Sequence, residues 1–268
     1  MCVVINRLKS DCQNCFALCC VALPYEKSAD FPLNKKAGDA CPNLCSNNLC
    51  SIHDQLRDRG FRGCVTYECF GAGQHVSQVI YKGNDWRDDT TRAEEMFAVF
   101  PIVQQLHEML WYLEQAITLT ETEPFKESLR EVYEQTVELT KEQPEDILNI
   151  DINSHRSTVN SLLIKTSQVY RAEFTNQVKI NEQDYLGANL KGLNLQGQDF
   201  RGTLMMASDL SHSDLSKSDF IGADLRDAKL YGAKIGDALF LTQSQINSAI
   251  GDQSTEIPSY LKRPRHWL

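Results

Sequence analysis

With 268 residues, 42% of them hydrophobic, the chain can bury one large core or roughly two to three small ones without crosslinks. Its formal charge of −9 is concentrated between residues 91 and 179, where 8 basic face 15 acidic side chains, and phosphate-backbone binding needs the opposite. The opening apolar stretch is cut short by Arg7 and Lys9 and no later run reaches membrane-spanning length, so a cytoplasmic protein with no nucleic-acid or membrane partner is expected.

Residues 1–90 show little periodicity, but "DCQNCFALCC" places four of ten cysteines in ten residues. In a reducing cytosol such clusters bind metal or do redox chemistry more readily than they form disulfides. Cys12 and Cys15 form a C-x2-C pair that lets two thiolates meet one ion from a tight turn, and Cys50 and His53 repeat that spacing with an imidazole. With Cys19, Cys20, Cys41, Cys64 and Cys69 they give a ligand set for zinc or iron, as two closed thiolate sites or as one cluster. Adjacent side chains diverge along most backbones, so Cys19 and Cys20 serve different ions or include one reactive thiol. Cys2 and Cys45 fit no spacing and stay unassigned, as does His75.

"CFGAGQHV" reads as a turn, glycine's commonest use, with approach of the backbone to a ligand as the alternative. Neither G-x-G-x-x-G in a strand-to-helix setting nor G-x-x-x-x-G-K-[ST] occurs, so no nucleotide cofactor is expected.

The stretches "CQNCFALCC", "CPNL", "CSIH" and "GCVTYEC" resemble the zinc- or iron-chelating CxxCxxCC family, which implies that these cysteines build a metal site. The opening departs from that pattern in having three residues, not two, before the double cysteine.

From about Thr91 to Tyr170 the apolar spacing predicts three amphipathic helices. Their faces are Val99, Val103, Leu106, Leu110, Leu113 and Ile117; Phe125, Leu129, Val132, Thr136 and Leu139; and Ile152, His155, Val159, Leu162, Thr166 and Val169. Pro101 lacks the amide that a helix interior needs, so the first main helix is placed after it. Pro144-Glu145-Asp146 marks the approach to the third. His107 and His155 are read as structural, not catalytic, because each stands alone.

Beyond Tyr185 large residues recur every five: Leu190, Leu195, Phe200, Met205, Leu210, Leu215, Phe220, Leu225, Leu230, Ile235 and Phe240. Two residues before most of them lies something small, with Leu193 and Gln198 as exceptions expected to crowd the first coil. A period of five suits a coil that turns a corner every five residues. "GADLRDAKLYGAKI" resembles the pentapeptide-repeat family, which implies a right-handed four-sided β-helix of nearly three coils. Asp209, Asp214, Asp219 and Asp224 then stack outward as surface. Thr242 is expected to cap a helix laying Ile246 and Ile250 over the last coil, with Trp267 beside it.

The expected architecture is therefore a multidomain α+β chain: an irregular Cys-rich metal domain over 1–90, a helical segment over 91–179, a pentapeptide-repeat β-helix over 180–241 and a cap over 242–268. Its combination of segments resembles the cysteine-rich pentapeptide-repeat proteins of bacteria. The leading expectation is a cytosolic metal-binding protein whose solenoid or helical face takes a protein or peptide partner or a second copy of itself. The alternatives are an iron- or thiolate-dependent enzyme modifying a peptide or small molecule, and a DNA mimic that protects topoisomerases.

Overall fold

The computed structural model describes residues 7–174 and 184–268. Cys2 and the expected boundary at 179/180 lie outside them. Packing divides the chain into two compact units: Met1–Cys64, Glu68–Thr118 and Glu123–Leu163; and Val65–Tyr67, Leu119–Thr122 and Ile164–Leu268.

The Cys-rich part of the first unit has only short elements. A 3-10 turn, Cys12–Asn14, is closed by the Asp11 side chain, which accepts from the Gln13 amide. Then come α1 (Leu18–Val21), α2 (Arg62–Thr66) and α3 (Ala72–Gln74), the last running on into a π-helical turn, His75–Ile80. Its buried apolar centre is small, with Leu18, Val21, Ala72 and Val76 fully buried. Beside it Tyr25 stacks on Phe31 with ring centroids 4.3 Å apart, and Phe61 meets both edge-on.

The first main helix, α4 (Thr90–Thr118), runs through Pro101 and does not start after it. The physical reason lies in the preceding turns, where Met96, Val99 and Phe100 are fully buried with Val103 and Leu106. Burying three such side chains, at about 1.5–3 kcal/mol each, outweighs the roughly 3 kcal/mol cost of an internal proline. In α5 (Lys126–Leu139) Leu129, Val132 and Thr136 are buried as expected, and Phe125 just ahead of it is buried too. Pro144 opens a separate short helix, α6 (Pro144–Leu148). The next helix, α7 (Ile152–Tyr170), starts afresh where Asp151 accepts from the Ser154 amide at 3.0 Å. Its buried positions are Val159, Leu163, Thr166 and Ser167, so Leu163 takes the place expected for Leu162.

In the second unit the five-residue register is fully buried from Tyr185, one step earlier than expected, to Phe240, each member at most 7% exposed. Parallel one-residue bridges join Asp184 to Leu204, Asn189 to Asp209 and so on to Asp219 with Leu239, always 20 residues apart, so four five-residue sides complete one turn. The expected fold class needs correction here. Among the described residues there is no β-strand and no sheet, the regular secondary structure is helical, and the repeat segment is a stack of turns rather than a β-helix. The cause is the period itself: each side extends for one residue before the next corner, too few for a strand.

The corners explain the recurring Asp and Asn. Where a corner carries one of them, the side chain accepts from the amide two residues on, as Asn189 does from Lys191 at 3.3 Å and Asp214 from Ser216 at 3.1 Å. From Tyr185 to Leu230, the second residue after each large side chain has positive φ: glycine at 187, 192, 197, 202, 222 and 232, but Ala207, His212, Lys217 and Asp227 in between. Asp219 departs from the outward stacking expected. It is buried, 3.1 Å from Arg201, and its carboxyl is pushed up by burial against the pull of that guanidinium. Leu193, expected to crowd the coil, points out to solvent, whereas Gln198 is buried.

Thr242 caps α8 (Gln243–Ser248) in a reciprocal box with Gln245. Ile246 is buried, while Ile250 extends the ladder by bridging Lys229 and Glu256 does so with Lys234. Trp267 is buried and donates from Nε1 to the Ala249 carbonyl at 3.0 Å.

Candidate metal centre

The described cysteines, Cys12, Cys15, Cys19, Cys20, Cys41, Cys45, Cys50, Cys64 and Cys69, are all free thiols. Backbone geometry collects them. Cys12 and Cys15 flank the first 3-10 turn, while Cys19 and Cys20 ride on α1 with their sulfurs 3.9 Å apart. The Cys41 amide donates to the Cys20 carbonyl at 3.0 Å, a Leu44–Cys50 bridge holds Cys50 behind Cys41, and the Cys64 amide returns to the Phe61 carbonyl at 3.1 Å.

Gly73 is where the glycines of "CFGAGQHV" earn a role beyond a turn. A Cβ there would sit 2.6 Å from the Cys15 sulfur and 3.9 Å from that of Cys69, so only a bare backbone lets both thiols approach. Gly71 has φ +78° with its Cβ position 2.3 Å from the Arg7 carbonyl, which fixes that corner as glycine. The "NDWR" stretch braces the knuckle: Trp86 Nε1 donates to the Phe16 carbonyl at 2.8 Å, and Arg87 lies over the Trp86 ring, 4.3 Å from its centre.

Electrostatics sort the thiols further. Burial, then the charge of Cys69, pushes Cys12 up to about 11. Cys15 is pushed up to about 12 by burial, with Cys69 and Cys12 adding to it and backbone hydrogen bonds from Leu18 and Ala17 opposing. Cys64 rises to about 12 through burial and the charges of Cys20, Cys41 and Cys50. Both Cys12 and Cys64 are exposed as residues, yet protein still surrounds their sulfurs. The side-chain contact between Cys19 and Cys20, in which either sulfur can donate, holds the Cys19 thiol well above its ordinary value and lowers that of Cys20.

Lys35 was not anticipated. Its side chain is buried and its ammonium donates to the carbonyls of Val21, Lys36 and Asp39 at 3.0, 3.0 and 2.8 Å. Burial lowers its pKa, and the charge of Cys41 is the largest influence holding it up, followed by Asp39, Cys20 and Cys19. A buried cation beside sulfurs is what a negatively charged thiolate site requires.

His53 is exposed on a 3-10 turn, His53–Gln55. Cys45 is exposed as well and acts on Cys50. His75 packs edge-on against His107 at 4.9 Å, and their rings bond the Thr140 and Phe70 carbonyls, each at 2.8 Å. Burial and the neighbouring His75 push His107 down to about 3. His155 bonds the Thr136 hydroxyl at 2.8 Å.

As the side chains stand, no group of three or more Cys, His, Asp or Glu donors converges closely enough to hold an ion among the described residues. The donor chemistry fits a soft or borderline metal all the same: many free thiols, backbone amides aimed at sulfur, a glycine where two sulfurs meet and a buried cation alongside. No described helix is long and apolar enough to cross a membrane.

The family description "Pentapeptide repeats" matches residues 205–240 in eight copies, which makes the second unit that of a pentapeptide-repeat protein. The chain as a whole is 57% identical over 264 residues to the "Uncharacterized protein YybG" of Bacillus subtilis (strain 168), covering 97% of this chain and 95% of that protein. It therefore belongs to the same family as YybG.

Proposed function

We propose that the chain is a metal-binding protein in which Cys12, Cys15, Cys19, Cys20, Cys41, Cys50, Cys64 and Cys69 hold zinc or iron, and in which the repeat unit serves as a scaffold for a protein or peptide partner. The observation that carries this is a set of free thiols in a region whose own apolar centre is small, with Cys19, Cys20 and Cys41 near enough to the buried Lys35 to act on its charge. Resemblance of its cysteine stretches to the CxxCxxCC chelating family supports the same reading. The His53 imidazole, exposed as Cys12 and Cys64 are, belongs to the same proposed donor set.

Zinc in such a site would be structural, its free energy of binding adding to that of folding, whereas iron with an open position would supply redox or Lewis-acid chemistry. The chain's own residues would orient the thiolates: the Leu18 and Gly73 amides through hydrogen bonds to Cys15 and Cys69, and Lys35 through its charge.

The test is metal content and ultraviolet-visible absorption of protein purified without added metal or a chelating tag, for wild type, Cys12→Ser and Cys19→Ser. Stoichiometric zinc, or iron with thiolate-to-metal bands, reduced in both variants, is expected. A folded wild type without metal overturns the proposal.

A further inference from the structure

We infer that Cys19 and Cys20 form a dithiol site for a trivalent arsenical, one arsenic atom bridging the two sulfurs and keeping one substituent of its own. The site uses two thiols of the proposed metal set but does not rest on the metal reading, because it needs no third donor and no ion.

The two sulfurs lie 3.9 Å apart. Adjacent side chains on a helix point about 100° apart, so this contact comes from how the segment is held. The Phe16 amide donates to Ser77 Oγ at 3.0 Å, and the Phe16 carbonyl accepts from Trp86 Nε1 at 2.8 Å. Ala17 then turns through φ 58°, unfavourable for a residue with a Cβ, and its carbonyl accepts the Cys20 amide at 2.8 Å. Leu18 and Val21 are fully buried, while the Cys20 carbonyl takes the Cys41 amide at 3.0 Å. These anchors leave Cys19 and Cys20 side by side and half-buried.

Distance and donor number select the ligand. A direct disulfide fits poorly: its sulfurs sit about 2.05 Å apart, and neighbouring Cα atoms, about 3.8 Å apart, fall short of the roughly 4.4 Å it prefers. An atom bonded to both sulfurs at about 2.3 Å, the length found in zinc thiolates, holds them roughly 3.3–3.8 Å apart for angles between 90° and tetrahedral. Trivalent arsenic forms bonds to sulfur of similar length. A divalent metal asks for about four donors there, and among the described residues no three converge. Arsenic already bound to a carbon is complete with two sulfurs. The adduct is also neutral, so a half-buried place takes it without a countercharge.

The reaction is an exchange and not a redox step. With phenylarsine oxide, two As–S bonds form as the arsenic–oxygen bond and both S–H bonds break. The oxygen leaves as water carrying both protons, and arsenic stays trivalent. Once the first As–S bond exists the second forms intramolecularly, which tightens the hold roughly a hundredfold or more over a single thiol.

Phenylarsine oxide added stepwise to the full-length protein as purified tests this, with intact mass and metal content read on the same samples. The wild type is expected to gain one phenylarsenic group, removed by a competing dithiol and not by a monothiol. Cys12→Ser and Cys64→Ser should keep it, whereas Cys19→Ser and Cys20→Ser should hold it about a hundredfold less tightly. Fragmenting the wild-type adduct should leave the group on Cys19 and Cys20, a result that needs no variant to fold. A wild type that takes no group, or carries it on other thiols, overturns the site. Metal content separates this from the reading above: an adduct at Cys19 and Cys20 on a chain that holds no metal removes the metal reading alone, and metal retained with no adduct formed removes the dithiol site alone.

Discussion

The Cys-rich region and the coil solve the same problem by opposite means. Residues 7–89 have few fully buried large side chains, and on the proposed metal-binding reading their fold depends on what the thiols hold. The coil repeats one buried side chain every five residues, from Tyr185 to Phe240, and fixes itself with ladder bonds at every side. The lesson is that a periodic backbone needs only a repeated apolar contact, whereas an irregular one with a small apolar centre has to find its stability elsewhere.

If the proposed metal is bound, the most forceful way to break this contrast is to remove it with a strong chelator. Amide hydrogen exchange should then show loss of protection over residues 7–89, on the order of 10 kcal/mol for a structural ion, with the coil still protected. Equal loss in both would refute the contrast. Next in size is Phe220→Ala, which empties a fully buried position whose ring lies 5.1 Å from that of Phe200. It should cost about 3–5 kcal/mol in denaturant unfolding and leave metal content unchanged.

The first unit should also respond more to acid. His107 is neutral when folded, its pKa pushed down to about 3, but titrates near 6.5 when unfolded. The unfolded chain therefore binds more protons below that value, so the stabilisation present above about pH 6.5 falls as pH drops towards 3. The loss by pH 5 is about 2 kcal/mol, and unfolding measured across pH should show a flatter slope for His107→Gln. The smallest effect sharpens the picture of the coil: Ala207 has φ 56°, which glycine adopts without strain, so Ala207→Gly should raise the unfolding midpoint by the equivalent of up to about 1 kcal/mol.

The coil was the more legible region. Its period survives in plain sight because every fifth side chain faces the same interior, and Thr242 announced a helix start through a hydroxyl that only a cap uses. What that period does not disclose is which corner becomes covered. Asp219 shares the pattern of Asp214, yet it is buried by Arg201 and, on α7, by Ser167. In the Cys-rich region spacing pointed to the thiols, but nothing in "NKKAG" separates the buried Lys35 from the exposed Lys36, because burial there comes from contacts distant in sequence. Pro101 misled for a related reason: its local cost is visible in the sequence, whereas the burial that outweighs it belongs to the tertiary fold.

The 20-residue turn also constrains how such a chain can change length over evolutionary time. Deleting or duplicating one pentapeptide keeps every large side chain pointing inward, but it rotates all that follows by a quarter turn, so each later corner meets a new neighbour. Only a change of twenty residues restores every pairing, from Asp184 with Leu204 to Asp219 with Leu239. Viable length variants of the coil should therefore come in whole turns, and the closing bridges of Lys229 with Ile250 and Lys234 with Glu256, at 21 and 22 residues, mark where that counting stops.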